Sequence, residues 1–187
     1  MERGVGKTSI LVEINNRLLR ESTTFDHVIW VTASEDLNVK KLQKDIAREV
    51  GLSFNDEDDE MTRAAQLLEA FLRKFRFVLV IDDLWEAFPF EVIGIPFPGA
   101  LCKVTIPTRS TTVCRVMETM REIEVSVLFE EEAWSLFKQK VGDEVLASPR
   151  LQAVAKNVSK ECGAVPQAIV TAFLKHDVVG THFGPFK

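Results

Sequence analysis

Three short stretches of the chain are almost entirely apolar and rich in β-branched side chains. They read HVIWVTA (27–33), FVLVIDD (77–83) and KVTIPT (103–108). A continuous apolar run of this length is typical of a strand that is covered on both faces in a parallel sheet. A fourth stretch, REIEVSVL (121–128), alternates apolar and polar residues, which favours an edge strand. The pattern therefore predicts a largely parallel sheet.

Helical periodicity fills the intervals between these runs. Apolar residues recur at spacings of three and four along 7–21, 39–51 and 61–75, and Gly51 is placed to end the second helix. Alternation of strands and helices implies right-handed crossovers and a doubly wound α/β sheet.

After about residue 129 the pattern becomes purely helical. EEEAWSLFKQKVG, SPRLQAVAKNVSKECG and VPQAIVTAFLK follow one another without a strand pattern between them. Ser148 followed by Pro149 has the form of an N-cap with proline at the first helical position. These three segments predict a small helical subdomain.

Length and charge narrow the class of protein. The 187 residues suffice for one domain with an appendage, and we divide them into 1–128, 129–174 and an irregular tail at 175–187. A net charge of −5 argues against wholesale binding to nucleic acid, which requires a basic face. No apolar run approaches the length of a membrane span. We expect a cytoplasmic protein.

The cysteines and the acidic run carry no metal chemistry in this interpretation. Cys102, Cys114 and Cys162 are odd in number and widely spaced, which favours reduced thiols over disulfides or a zinc site. The run NDEDDE (55–60) lacks the ligand spacing of a calcium loop, so we interpret it as a solvated connection between two helices.

The segment GVGKTS (4–9) carries the first chemical signal. Glycines allow a loop to turn its N–H groups toward phosphates, and a following helix favours anions at its N-terminus. Lys7 can reach the outer phosphates, and the Thr8 hydroxyl can ligate Mg²⁺. A GKT triplet by itself also arises by chance.

Two further signals stand at strand ends. Asp82 and Asp83 end the run VLVIDD. Burying a carboxylate there costs free energy unless a cation or a polar group pairs with it. The two aspartates suit a Mg²⁺ ligand and a group that orients attacking water, although capping of the next helix is the alternative. TIPTRS (105–110) ends in Thr108, Arg109 and Ser110. Arg109 is placed there to sense a γ-phosphate, whereas alone it would be a surface residue.

Together these segments resemble the NB-ARC nucleotide-binding region of plant disease-resistance proteins with leucine-rich repeats. Trp85, with FDHVIWV upstream, resembles the coiled-coil rather than the Toll/interleukin-receptor subclass. The resemblance runs over roughly residues 1 to 173, in six blocks in the family's order: GVGKTS, FDHVIWVTASED, VLVIDDLW, CKVTIPTRS, LFEEEAWSLFKQKVGD and CGAVPQAIV.

This resemblance implies a P-loop NTPase fold and a signal-transducing ATPase that acts as a molecular switch. Such a module holds ADP at rest, exchanges it for ATP with Mg²⁺ during plant defence, and hydrolyses slowly to reset. The implied partners are the coiled-coil and leucine-rich repeat regions of the parent receptor, and the active parent is expected to oligomerise.

The resemblance also implies a set of site residues. It assigns Thr8 and Asp82 to Mg²⁺, Asp83 to hydrolysis, Arg109 to phosphate sensing and catalysis, and Pro166 to the adenine ring. The full implied nucleotide-binding set is Gly4, Val5, Gly6, Lys7, Thr8, Ser9, Asp82, Arg109 and Pro166.

Some positions depart from the family pattern. Met1 and Arg3 stand where glycines are usual, Pro107 where threonine is usual, and Gln167 where leucine is usual. We interpret the chain as a fragment, a resistance-gene analogue, whose first strand lies upstream and centrally in the sheet. We therefore expect the chain alone to be marginally stable and to bind nucleotide weakly. Two alternatives stay open, a catalytic P-loop ATPase or kinase and a nucleotide-free interaction scaffold.

Overall fold

A computed structural model describes residues 4–21, 25–73, 76–99, 102–142 and 146–177. The side chains of Leu19, of Glu21 and of 173–177 are outside this description.

The chain divides into two compact units. Of the described residues, the first contains those from Thr8 to Ile123, and the second contains 4–7 and those from Glu124 onward. The predicted subdomain limits at residues 128 and 174 stay a prediction.

Within the described part of the chain, the first unit is built on a parallel sheet of three strands. They are β1 (His27–Thr32), β2 (Phe77–Asp82) and β3 (Cys102–Thr105), and their order in space is β1-β2-β3. All six residues of β2 are buried, as the continuous apolar run predicted for a strand covered on both faces. The fold class predicted from the sequence, α/β with a parallel sheet followed by a helical part, is confirmed.

Helices connect and cover these strands. Asn38 caps α2 by accepting a hydrogen bond from the Lys41 backbone, and Gly51 ends it in a left-handed conformation, φ 75°, as predicted. The helices are α1 (Lys7–Glu21), α2 (Val39–Val50), α3 (Glu60–Arg73), α4 (Phe90–Ile93) and α5 (Thr111–Val116).

The side chains of β2 alternate between two hydrophobic clusters. Leu79 and Ile81 belong to the larger, which includes Ile46 of α2 and Phe71 of α3. Val78 and Val80 belong to the smaller, with Leu11 of α1. Since successive residues of a strand point to opposite faces, helices cover the sheet on both sides. Full burial of such a side chain contributes about 1.5–3 kcal/mol, which makes β2 the centre of this unit's stability.

The acidic connection between α2 and α3 is mostly exposed, in agreement with its interpretation. Asp59 caps α3, where its Oδ1 accepts a hydrogen bond of 2.7 Å from the Thr62 N–H. That bond lowers the pKa of Asp59. The Asp58 carbonyl accepts hydrogen bonds from the Arg63 guanidinium.

The prediction of a strand at 121–128 is wrong. Every residue of this segment lies outside regular structure, and the Leu128 N–H donates instead to the Ala164 carbonyl at 3.0 Å. A strand requires backbone hydrogen bonds to a neighbour, and within the described residues no strand runs beside this one.

The third strand is shorter than predicted. It ends at Thr105, whereas the apolar run continues to 108. Pro107 explains the difference, because proline has no N–H to donate to a neighbouring strand.

Helices lie within the described part of the second unit at the three segments that the periodicity predicted. They are α6 (Glu130–Val141), α7 (Pro149–Glu161) and α8 (Pro166–Asp177). Their core consists of Ala133, Phe137, Ala155 and Ile169.

The ends of these helices differ in detail from the sequence interpretation. Ser148 is the N-cap of α7 and Pro149 follows at its start, but the serine side chain makes no capping hydrogen bond. Helix α8 extends through Asp177, three residues into the predicted irregular tail. Residues 178–187 lie outside the described part of the chain.

The three thiols are free, in agreement with the prediction. Burial raises the pKa of Cys102 to about 11, and it also raises the pKa values of Cys114 and Cys162. Of the described helices, none is both long enough and apolar enough to cross a bilayer.

Candidate functional site

Asp82 and Thr8 meet at the carboxyl end of the central strand. Asp82 is the last residue of β2 and is only 8% exposed, and Thr8 lies in the first turn of α1. The Thr8 hydroxyl donates to the Asp82 carboxylate, with Oγ1 3.2 Å from Oδ2 and 3.5 Å from Oδ1. Hydrogen bonding of this kind offsets part of the cost of burying a charge.

Asp83 and Arg109 meet at the same edge of the sheet. Asp83 follows β2 in a left-handed conformation, φ 56°, which an aspartate tolerates better than most residues. Its Oδ1 lies 3.6 Å from Nε of Arg109, which follows β3. The two side chains are 43% and 30% exposed, so this ion pair contributes little to stability.

Trp85 also contacts Arg109. The Arg109 Cζ atom lies 5.2 Å from the centroid of the Trp85 ring, within the range of a cation–π interaction. The sequence interpretation used Trp85 only to assign a subclass and missed this contact. A signal for the proximity of Trp85 and Arg109 was available, because loops that follow adjacent parallel strands lie at the same edge of the sheet.

Thr108 ties the two loops together. Its hydroxyl donates to the Leu84 carbonyl at 2.6 Å and accepts from the Ser110 N–H at 3.1 Å. Thr108 is 5% exposed, and its bond to Leu84 is buried, whereas the bond from Ser110 is partly buried. This residue was quoted in the motif TRS but not recognised as the connection between the segments after β2 and β3.

The glycines of the predicted phosphate loop belong to the second unit. Gly4 and Gly6 have φ of 79° and 94°, values at which side chains other than glycine are strained. A Cβ atom on Gly4 would lie 2.8 Å from Cβ of Gln167, whose N–H donates to the Gly4 carbonyl at 3.1 Å. Gly4 is therefore required both by its backbone angle and by the close approach of this neighbour.

The structure brings some of the predicted residues together within each unit. It pairs Thr8 with Asp82 and Asp83 with Arg109 in the first unit. In the second, Gly4 is bonded to Gln167, the residue after Pro166, and Val5 is buried. Lys7 begins α1 and Ser9 lies exposed in its first turn. Their roles toward a nucleotide stay predictions.

A hollow of about 500 Å³ lies elsewhere, between the C-terminal end of α2 and the loop that follows it. Lys44, Arg48, Phe54 and Arg63 contribute to its lining, and none of the predicted site residues does. We therefore select the groups at the strand ends as the candidate site because of their chemistry and position, not because they line a large cavity.

Comparison with known proteins gives the same family as the motifs. The NB-ARC domain family matches residues 2–147. The chain is 40% identical over 172 residues to Disease resistance protein RPS5 of Arabidopsis thaliana, which covers 89% of this chain and 19% of that protein. It is 39% identical over 174 residues to Disease resistance protein UNI of the same plant, with 89% and 19% covered. The chain therefore spans about a fifth of the length of these relatives.

Proposed function

We propose, because the chain belongs to the NB-ARC family, that its nucleotide-binding fold works as an ADP/ATP switch. The observation that carries this proposal is the Thr8–Asp82 contact of 3.2 Å at the carboxyl end of β2. In open α/β sheets, ligands bind outside the carboxyl ends of the strands. A hydroxyl and a buried carboxylate converge there, with a second carboxylate and a guanidinium on the adjoining loops.

The Thr8–Asp82 pair fits Mg²⁺. Hydroxyl and carboxylate oxygens are donors that this ion prefers, and they lie close enough to face one ion. The ion usually keeps several waters and takes further oxygens from substrate phosphates, so two protein donors suffice. When bound, Mg²⁺ would neutralise charge on the β- and γ-phosphate oxygens.

Asp83 and Arg109 fit the roles of orienting water and of sensing the γ-phosphate. A guanidinium presents several N–H donors in a rigid plane that matches phosphate oxygens. Arg109 is about one-third exposed, and a ligand phosphate can replace the Asp83 carboxylate as its partner. The carboxylate is then released to accept a hydrogen bond from water. Slow hydrolysis by this arrangement would reset the switch.

The family motif suggests further nucleotide contacts by Gly4, Gly6, Lys7 and Pro166, which we propose on the chemistry of these residues alone. Left-handed Gly4 and Gly6 suit a loop that turns N–H groups toward phosphates, and the ammonium of Lys7 suits the outer phosphates. Pro166 begins α8 and is half-buried, and its rigid apolar ring suits packing against adenine.

The names of the relatives as disease resistance proteins support a proposal for the biological setting. We propose that this chain serves plant defence in the cytoplasm as part of a larger receptor. Its partners there would be the coiled-coil and leucine-rich repeat regions, and the active receptor would oligomerise.

Binding and turnover of adenine nucleotides test the proposal. The chain is expected to bind ADP and MgATP, measured by titration with fluorescent analogues, and to hydrolyse ATP far below the 1–100 s⁻¹ typical of kinases. Lys7→Ala should weaken binding at least about tenfold, because it removes the cation that faces the phosphates. Lys44→Ala, on the exposed face of α2, is the matched control and should bind normally.

Other outcomes identify the alternatives. Rapid turnover would indicate a catalytic ATPase or kinase. Absence of binding to either nucleotide in the full-length parent receptor would contradict the proposal and indicate an interaction scaffold.

A further inference from the structure

Among the described residues, Asp83 and Trp85 contact the guanidinium of Arg109, and both belong to the short segment after β2. The Asp83 carboxylate lies 3.6 Å from Nε, and the Trp85 ring centroid lies 5.2 Å from Cζ. The two contacts differ in kind, because one is with a charge and the other with an aromatic face.

The carboxylate contact is the more easily exchanged of the two. At 3.6 Å it is longer than a hydrogen bond, and both side chains reach solvent. A phosphate carries more negative charge than a carboxylate and offers more acceptor oxygens, so it competes well for the same N–H groups.

The aromatic contact does not compete with a phosphate. A ring face attracts a cation through its quadrupole and uses none of the guanidinium N–H donors. Arg109 can therefore keep its contact with Trp85 while its N–H groups turn from Asp83 to a ligand.

A buried hydrogen bond links the two backbone segments that carry these side chains. The buried hydrogen bond of 2.6 Å from Thr108 to the Leu84 carbonyl joins the residue before Arg109 to the residue before Trp85. This bond keeps the backbone of Trp85 near the backbone of Arg109, whichever partner the guanidinium N–H groups have.

We propose that Trp85 is a positioning residue for Arg109. It keeps the guanidinium at the carboxyl end of the sheet when the N–H groups leave Asp83 for the γ-phosphate. This inference rests on the proposed nucleotide-binding function. It implies that Trp85 raises the preference of the chain for ATP over ADP without itself touching either nucleotide.

The first experiment measures the ratio of ATP to ADP affinity in variants. Trp85→Leu should lower this ratio about threefold, the size of an exposed cation–π contact, and Trp85→Phe should retain most of it. In an Arg109→Ala background, Trp85→Leu should change the ratio no further. Trp134→Leu is the matched control, since it removes a ring 6.0 Å from Lys156 Nζ in the helical unit.

Two results of this experiment would overturn the inference. One is an unchanged ratio in a folded Trp85→Leu chain. The other is an equal fall in the presence and absence of Arg109, which would show that Trp85 acts by another route.

The second experiment detects the ring contact without nucleotide. In the wild-type chain, NMR signals of the Arg109 side chain should be shifted upfield by the ring current of Trp85. Trp85→Leu should abolish this shift and Asp83→Asn should leave it. A wild-type spectrum without the shift, or a shift that survives Trp85→Leu, contradicts the contact. Failure of the full-length parent receptor to bind nucleotide instead overturns the proposed function and the ATP preference with it.

Discussion

Each end of the parallel sheet has an ion pair between an arginine and an aspartate, but the two pairs differ in geometry. At the amino end, Arg76 binds Asp26 through two hydrogen bonds of 2.9 and 3.2 Å, and the Arg76 carbonyl accepts from the Asp26 N–H. At the carboxyl end, Arg109 and Asp83 are 3.6 Å apart. Both carboxylate oxygens of Asp26 accept hydrogen bonds from Arg76. The Arg109–Asp83 contact is longer than a hydrogen bond, so it leaves donors and acceptors that a ligand can use.

Burial sharpens this contrast. Cys102 begins β3 at the amino end, where it is 5% exposed and its pKa is raised to about 11. At the carboxyl end a carboxylate, Asp82, is buried to a similar degree against a hydroxyl. A buried neutral thiol needs no partner, while a buried carboxylate is costly without one. This difference supports our proposal that the nucleotide chemistry lies at the carboxyl end of the sheet.

The largest expected difference between the ends concerns Mg²⁺. Asp82→Asn should reduce Mg²⁺-dependent ATP affinity at least about tenfold, because the amide lacks the negative charge that the ion requires. Asp26→Asn, the matched change at the amino end, should leave the affinity unchanged. Titration with ATP in the presence of Mg²⁺ and of a chelator measures both. Equal effects of the two variants would contradict the assignment of the site to the carboxyl end.

The next effect is on stability at the carboxyl end. Thr108→Val removes the buried donor to Leu84 and should cost about 1–3 kcal/mol, because a buried carbonyl is left unsatisfied. Denaturant unfolding measures this free energy. Thr105→Val, within β3, serves as the control and should be close to neutral, since valine suits a strand. A loss as large in Thr105→Val would show that strand packing rather than the tie between loops decides the result.

A smaller effect is expected at the amino end, in the reactivity of Cys102. Its pKa of about 11 keeps the thiol protonated at pH 8, so iodoacetamide should modify it much more slowly in the folded chain than in urea. Because the folded chain holds the thiol proton more tightly than the unfolded chain, the contribution of Cys102 to the free energy of unfolding is complete below pH 9. It is lost as pH rises toward 11. Mass spectrometry of the labelled peptide gives the rates. Equal rates in both states would refute the burial of this end.

The smallest effect concerns Asp26 itself. The hydrogen bond from Arg76 holds the pKa of this carboxyl below its usual 3.8. The depressed pKa contributes stability that is present above pH 3.8 and disappears as pH falls through the folded pKa. Arg76→Ala should return the pKa to its usual value, measured by NMR titration. An unchanged pKa in this variant would show that Arg76 is not the cause.

Much of the fold could be predicted because its signals are local. Continuous apolar runs gave the three strands, and spacings of three and four gave the helices from α1 to α3 and from α6 to α8. Gly51 was recognised as a helix end because a left-handed residue is needed there. The wrong strand at 121–128 shows the limit of such signals. Its alternation of apolar and polar residues suited an edge strand. A strand also needs a neighbouring strand to pair with, and the local pattern does not show whether one is present.

The candidate site divides along the same line. Asp82, Asp83 and Arg109 could be selected from the sequence, since polar groups that end apolar runs are unusual and parallel strands bring their ends to one edge. Trp85 and Thr108 could not be given their contacts in this way. An aromatic ring and a hydroxyl are compatible with many environments, and only the position of the neighbouring loop determines their partners.

The sequence by itself determined the family, the layered α/β architecture and the residue types available for phosphate and Mg²⁺. These follow from periodicity and from motifs whose spacing is fixed within a few residues along the chain. Only the tertiary structure decided that Thr8 meets Asp82, that Trp85 meets Arg109 and that the strand after β3 does not form. Such contacts join residues far apart in sequence, and their geometry depends on how the strands pack and pair rather than on any one segment.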